Sequence, residues 1–316
     1  MKAETIIPVF IIILAASNIV MNLIAAPIVF MKTFYRSPKK PRVRACTGNA
    51  DEAQLRMFRE GKTWAEQYKE RTVNLEITND DLRLYGEYID LGFDKCAVIL
   101  QGRTESLIYS YYFADAYVKT RHNILVVDVR AHGQSDGVYQ TLGVRESDDL
   151  IVWLKLLNSM FHISDFTLHG ICVGGVTAVF TYVKMKQAGV NWIKRIVTDG
   201  LYISHYEMYK RNFRRYYQPA FPALHLTFLI AYVLTGVRLF SQTPIRYMKD
   251  IDIPILFIWS VQDIFCVRAK SEALYKACAS PDKACRFFPE GRHSHVRSSR
   301  EVEYDTVVTE FIRKYD

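Results

Sequence analysis

Leu168-His169-Gly170-Ile171-Cys172-Val173-Gly174-Gly175 is the stretch whose reading decides the fold. It has the form Gly-x-nucleophile-x-Gly, with cysteine at the position that serine more often occupies. Asp165 to His169 reads as a short buried strand, and Val176 to Met185 as a helix former, so the turn falls between strand and helix. A turn that sharp leaves no room for side chains two residues either side of its apex, and Gly170 and Gly174 stand there. Cys172 is then placed at a helix N-terminus, where backbone N–H groups and the helix dipole favour developing negative charge. The competing reading is an ordinary Gly-rich strand–helix turn with Cys172 as a small buried hydrophobe.

Working outward, strands are expected at 73–78 and 82–89, separated by the hairpin signal Asn79-Asp80-Asp81. Continuous apolar runs at 95–100 and 123–129 predict strands buried on both faces, with a crossover helix over 107–118. A helix over 147–160 precedes the elbow; strands follow at 193–198, 253–259 and 285–288, and an amphipathic helix over 301–314. Strand and helix alternating in this way imply an α/β fold, a mainly parallel sheet with helices on both faces. Residues 201–246 break the rhythm and are expected to form a helical lid insertion. The α/β core then comprises 73–200 and 247–316.

The N-terminal segment has a different character. Ile6 to Phe30 carries no charge over 25 residues, roughly 37 Å as a helix and enough to span a bilayer. Residues 1–31 are therefore expected to be an uncleaved transmembrane anchor, and 32–72 a basic juxtamembrane stretch followed by a connecting helix over 51–68; a cleaved signal peptide is the competing reading, opposed by the length of the apolar run and the positive charges straight after it. The formal charge of the 316-residue chain is +8. Lys2, Lys32, Arg36, Lys39, Lys40, Arg42 and Arg44 stand against Glu4 alone in the first 44 residues, a net +6 that leaves +2 for the other 272. Basicity placed there belongs to a membrane flank and argues against nucleic acid as a partner. The positive-inside rule expects a single-pass protein of the cell membrane with everything catalytic on the cytoplasmic side. A second apolar stretch, 219–240, contains His225, Arg238, two prolines and Gly236. A crossing there would separate Cys172 from the later Asp and His candidates, so it is expected to cover the pocket and dip into the bilayer surface.

A thiol nucleophile needs a base, and the base an orienting carboxylate. Asp263 follows the 253–259 strand and His293 the strand ending at Phe288, in the order nucleophile, acid, base. His295 is a rival base and Asp199 a second-choice acid. The oxyanion hole is expected from the N–H groups of Val173 and Arg103, the latter in the loop Gln101 to Ser106; Arg103 and Glu105 could equally form a surface ion pair. The polar loop 128–137 reads as structural, its side chains satisfying loop backbone. Six cysteines at irregular spacing fit a reducing compartment, with a Cys278–Cys285 disulfide left open. No G-x-G-x-x-G after a strand, P-loop or metal-ligand cluster is present, so no cofactor or metal is expected; nothing bears on oligomeric state.

With these segments in order, the chain resembles the α/β-hydrolase superfamily, specifically its serine aminopeptidase-like branch, which includes monoacylglycerol lipases and lysophospholipase L2. The likeness rests on G-R-T-E-S (102–106), D-x-R-x-H-G-x-S-D-G (128–137), the elbow (170–174), the strand 253–258 leading to Asp263, and P-E-G-R-H (289–293) leading to Tyr304. It covers roughly residues 73–316 and implies nucleophile, acid and base roles for Cys172, Asp263 and His293, with a helical cap at 201–246. Cysteine at the elbow is a departure shared with dienelactone hydrolases. The expected activity is a membrane-anchored hydrolase of ester-type acyl substrates, such as a monoacylglycerol or lysophospholipid. The alternatives are a catalytically inactive hydrolase-fold protein binding an acyl ligand or partner at the membrane, or an acyltransferase or thioesterase.

Overall fold

A computed structural model of the chain describes residues 3–36, 51–215 and 219–316. The basic residues Lys39, Lys40, Arg42 and Arg44, and Cys46, lie outside the described residues.

The sheet has eight strands: β1 (Thr72–Asn79), β2 (Leu82–Ile89), β3 (Cys96–Leu100), β4 (Asn123–Val127), β5 (Phe166–Ile171), β6 (Ile193–Asp199), β7 (Ile255–Ser260) and β8 (Lys283–Phe288). Their order is β1-β2-β4-β3-β5-β6-β7-β8. β1, β2 and β4 pair antiparallel, and every later pairing is parallel. β3, β4, β5 and β7 are buried throughout, as continuous apolar runs covered on both faces should be.

The helices are α1 (Ala3–Thr33), α2 (Glu52–Gln67), α3 (Leu107–Ser110), α4 (Asp115–Val118), α5 (Glu146–Phe161), α6 (Val173–Gln187), α7 (His205–Arg215), α8 (Ala223–Thr235), α9 (Pro244–Tyr247), α10 (Arg268–Ala277), α11 (Val296–Ser299) and α12 (Glu301–Lys314). The crossover expected as one helix over 107–118 is two short turns, α3 and α4, joined by a 3-10 turn at Tyr111–Phe113. Its three consecutive bulky rings are all buried, which a regular one-faced helix does not permit. α2 is not a free connector. Gly61 lies so close to Ile108 that a Cβ there would stand 2.1 Å from its carbonyl oxygen. Trp64 Nε1 donates to Asp115 at 2.7 Å, fixing the other end.

Ile7–Thr33, 27 residues of α1, is long and apolar enough to cross a membrane. Its C-terminal part docks on the domain: Ala26, Phe30 and Phe34 are buried, Gln140 N donates to Phe34 O at 2.9 Å, and Arg36 N donates to Val138 O at 2.7 Å. The partner of α1 is α8, where Thr227 Oγ1 donates to the Ala26 carbonyl at 3.2 Å. α8 is apolar on all sides; it buries Leu224, Thr227, Phe228 and Ala231 and exposes Leu229, Tyr232, Val233 and Leu234. The stretch 219–240 therefore packs along α1 instead of roofing the pocket, because its apolar surface has a second apolar helix to meet.

The segment 128–137 is the structural loop its composition predicted. Asp128 accepts from Leu107 N and Gln134 N, both at 2.8 Å, and Ser135 Oγ accepts from Tyr85 N at 2.9 Å. Arg130 forms a buried two-pronged pair with Asp149 at 2.7 and 2.5 Å. Cys278 and Cys285 are both free thiols, so the disulfide left open by the sequence does not form.

Candidate active site

β5 ends at Ile171 and α6 begins at Val173, leaving Cys172 alone at the apex with φ 54° and ψ −110°. A β-carbon-bearing residue in that region is strained, and the flanking packing enforces it. A Cβ on Gly170 would lie 2.3 Å from Gly174 C and O, and one on Gly174 would lie 2.3 Å from Leu100 O. The two glycines therefore let the turn fold against the end of β3, which brings the β3 loop beside the cysteine.

That loop carries the second expected N–H group. The N–H groups of Val173 and Arg103 have no acceptor among the described residues. The Arg103 carbonyl is held from behind by His132 Nε2 at 2.6 Å and by the Arg36 guanidinium at 3.3 Å. Burial pushes the His132 pKa down to about 4, so the ring is neutral and has one proton to share between the Arg103 and Arg130 carbonyls. Sequence reasoning read His132 only as a loop stabiliser. Its D-x-R-x-H setting was the available signal that it also anchors the Arg103 loop. No Arg103–Glu105 ion pair forms: Glu105 turns inward and accepts from Gly102 N at 2.9 Å, with its pKa raised chiefly by burial.

Asp263 and His293 meet across the loops after β7 and β8, with Nδ1 donating to Oδ2 at 2.6 Å. The other carboxylate oxygen accepts from Phe265 N at 2.7 Å and Cys266 N at 2.9 Å. Burial works against this carboxylate, yet the His293 charge and the N–H donors outweigh it and hold its pKa low. Burial likewise opposes the charged imidazole, but Cys172 and Asp263 prevail and raise the His293 pKa well above its ordinary value. With Nδ1 committed, Nε2 is the basic nitrogen, and it is buried with no hydrogen-bond partner among the described residues. Ser260 Oγ donates to Gly291 O and ties the two loops together.

The rivals are placed elsewhere. His295 Nδ1 lies 3.8 Å from Asp51, not beside Asp263. Asp199 ends β6 fully buried, with no well-formed hydrogen bond to its carboxyl oxygens among the described residues, and burial pushes its pKa up to about 7. A carboxyl with a raised folded-state pKa stabilises the fold fully below the unfolded range, and that stability is lost as pH rises through about 7. Asp199→Asn cannot ionise and escapes that loss. Its thermal advantage over the parent should grow between pH 4.5 and 7 and level off above, reaching at most about 4 kcal/mol. Melting curves with the same difference at pH 4.5 and pH 8 would contradict this.

Cys172 and His293 open on one cavity of about 1070 Å³. Met208 and Tyr209 of α7, with Ile264 and Phe265, form its apolar walls, so α7 is the part of 201–246 that lines it, and no residue of 219–240 does. The periodicity of α7 did not single these residues out, because a charged helix in an irregular insertion reads as a solvated one. Asp263, Cys266 and His293 place possible ligand atoms within 4.8 Å of one another, but the Nδ1 proton that bonds Asp263 occupies the position a cation would need.

No protein-family model matches this chain. It is 27% identical over 217 residues to the uncharacterised protein YqkD of Bacillus subtilis strain 168, across 68% of this chain and 70% of that one. Among solved structures, the Pyrococcus furiosus esterase Pf2001 superposes with TM-score 0.65 at 21% identity, over 88% of this chain and 99% of that one. An esterase from Exiguobacterium antarcticum superposes with TM-score 0.56 at 14% identity, over 76% and 100%. With the sheet order, the strained elbow and a long apolar N-terminal helix already described, these likenesses identify the fold as that of the α/β-hydrolases.

Proposed function

We infer that the protein is a membrane-anchored hydrolase of ester-type acyl substrates, working through Cys172, His293 and Asp263. The observation that carries this is the His293–Asp263 hydrogen bond of 2.6 Å, which leaves an unpartnered Nε2 in the cavity of a strained Cys172. The Sγ proton is held on Nε2, in an imidazolium that Asp263 stabilises, and Sγ attacks the substrate carbonyl. The oxyanion of the tetrahedral intermediate receives the free N–H groups of Val173 and Arg103. Collapse breaks the C–O bond, and His293 returns the proton to the departing alkoxide. Water then attacks the acyl-thioester with Nε2 as base, releasing the acid and the thiol.

The substrate class is that of the serine aminopeptidase-like branch, a lipid-like monoacylglycerol or lysophospholipid. Two features support it: α1 is of membrane-spanning length, and the apolar α8 lies against it with Leu229, Val233 and Leu234 outward. Helices that pair through buried small residues and a Thr–carbonyl bond suit an apolar medium. In this reading α1 is an uncleaved anchor of the cell membrane and the domain is cytoplasmic.

Brief exposure of the full chain to a p-nitrophenyl ester, followed by intact-mass and peptide analysis, tests the covalent step. One acyl group should appear on Cys172 and be released by neutral hydroxylamine. Turnover without a Cys172 adduct, undiminished in Cys172→Ala, would overturn it. Binding of acyl ligand with neither adduct nor turnover would favour a non-catalytic binding protein.

A further inference from the structure

The cavity of Cys172 has one polarity at its walls and another at its mouth. Among the described residues, five arginines line it (Arg103, Arg211, Arg214, Arg215 and Arg292) against two carboxylates, Asp51 and Glu105. Both carboxylates are already engaged. Asp51 accepts from Gln54 N at 3.0 Å and pairs with Arg292 at 3.4 Å, and Glu105 is turned inward onto Gly102. Arg103, Arg211 and Arg214 have no ion-pair partner among the described residues. The single carboxylate of α7, Glu207, lies 3.9 Å from Lys210 and from Lys270 and does not line the cavity. Among the described residues, nothing on the helix therefore neutralises Arg211 or Arg214.

Their spacing has a direction. Met208, Arg211, Asn212 and Arg215 recur at three- and four-residue intervals, one face of α7, and all four line the cavity. Along that face the lining changes from the buried Met208 and Tyr209 to the exposed Arg214 and Arg215, over roughly 10 Å of helix. Arginines in a last helical turn are favoured by the helix dipole wherever they point. That does not account for Arg211, a turn earlier, or for Arg103 on a different element converging on the same space. An attraction to an anionic membrane surface alone would be served by arginines on the outside; these share a cavity with Cys172.

We propose that the mouth formed by Arg103, Arg211 and Arg214 is an anion site that selects acyl esters carrying a phosphate or carboxylate group, with the acyl carbonyl at Cys172 and the anion at α7. The proposal rests on the hydrolase reading above and narrows its substrate class. Guanidinium forks bind such groups in pairs of charge-assisted hydrogen bonds. A concave site of one sign also raises local substrate concentration in a salt-dependent manner.

The full chain in neutral detergent is assayed for acid release from two substrate pairs. One is 1-butyrylglycerol against 1-butyrylglycerol 3-phosphate; the other is 1-oleoylglycerol against 1-oleoylglycerol 3-phosphate. The phosphate member should show at least ten-fold higher kcat/KM at low salt, falling several-fold in 0.5 M NaCl. In Arg211→Gln/Arg214→Gln that ratio should drop towards one. Arg268→Gln, on the exposed face of α10, should keep it. Preference in both pairs identifies any phosphate ester as the ligand, and preference in the oleoyl pair alone identifies a lipid headgroup; each supports the proposal. No preference, a preference unmoved by salt, or a ratio unchanged in the double variant overturns it. Absence of Cys172-dependent release from all four substrates counts instead against the hydrolase reading. Binding of the two oleoyl lipids to Cys172→Ala then decides the anion site, and equal affinities overturn it.

Discussion

Cys172→Ala and His293→Ala should each lower p-nitrophenyl ester kcat/KM by about 10³-fold or more, and the double variant should be little worse than either. The non-additivity follows from geometry. Nε2 accepts a proton only from a nucleophile that is present, and Sγ loses its proton only to a base whose other nitrogen is fixed. That fixation is the 2.6 Å bond to Asp263, a carboxylate held ionised by His293 and two backbone N–H groups. Asp263→Asn should therefore be costly as well, because an amide no longer enforces the tautomer with the proton on Nδ1. The residual rate in each variant belongs to the N–H groups of Val173 and Arg103, which no side-chain change removes. Cys172→Ser is the informative third substitution. A rise in rate would mean that the hole and base are spaced for a hydroxyl oxygen, and a fall that they have adapted to the larger sulfur. Equal turnover in the parent, Cys172→Ala and His293→Ala would end the catalytic assignment.

How far the sequence could be read depended on the range over which each feature is determined. The elbow was legible because its cause is local steric exclusion: Gly-x-Cys-x-Gly between an apolar run and a helix former fits one kind of turn. The strand runs at 95–100 and 123–129 were legible because burial on both faces leaves only apolar residues. Asp263 and His293 were reached through strand order. Choosing between His293 and His295 was not possible from strand context, since both occupy one loop. The structure pairs His293 with Asp263 and sets His295 against Asp51, in a loop that turns through positive φ at Gly291 and Ser294, 106° and 62°. Residues 219–240 were placed over the pocket because an apolar run states that it must be covered but not by what. Its cover is α1, about two hundred residues away in the chain. The lining role of α7 was missed for the converse reason: a charged helix reads as solvated, and only the fold shows its arginines turned towards a cavity.

Gly174→Ala should unfold the elbow and disable it at once, whereas Gly175→Ala, one residue on, should be close to neutral. At Gly174 the added methyl would meet Leu100 O at 2.3 Å, Leu100 C at 2.8 Å and Gln101 O at 2.9 Å, all of them main chain at the end of β3. Backbone in the middle of a sheet cannot rotate aside as a side chain can, so relief requires parting α6 from β3. Overpacking of this kind typically costs about 1–3 kcal/mol, and a clash with main chain belongs at or beyond the upper end. The same displacement carries the loop bearing Arg103 N–H away from Val173 N–H, and about 1 Å of misplacement is enough for a hundred-fold loss of rate. At Gly175 the nearest atoms are Gly170 O at 3.3 Å, a main-chain contact tight by only tenths of an ångström, and the Leu201 side chain at 3.4 Å, an ordinary contact. Its backbone is helical, where alanine is the better residue. Thermal unfolding and ester turnover measured on both variants test this. Comparable losses in the two would mean that the close approach of α6 to β3 is not what holds Cys172 in its strained conformation.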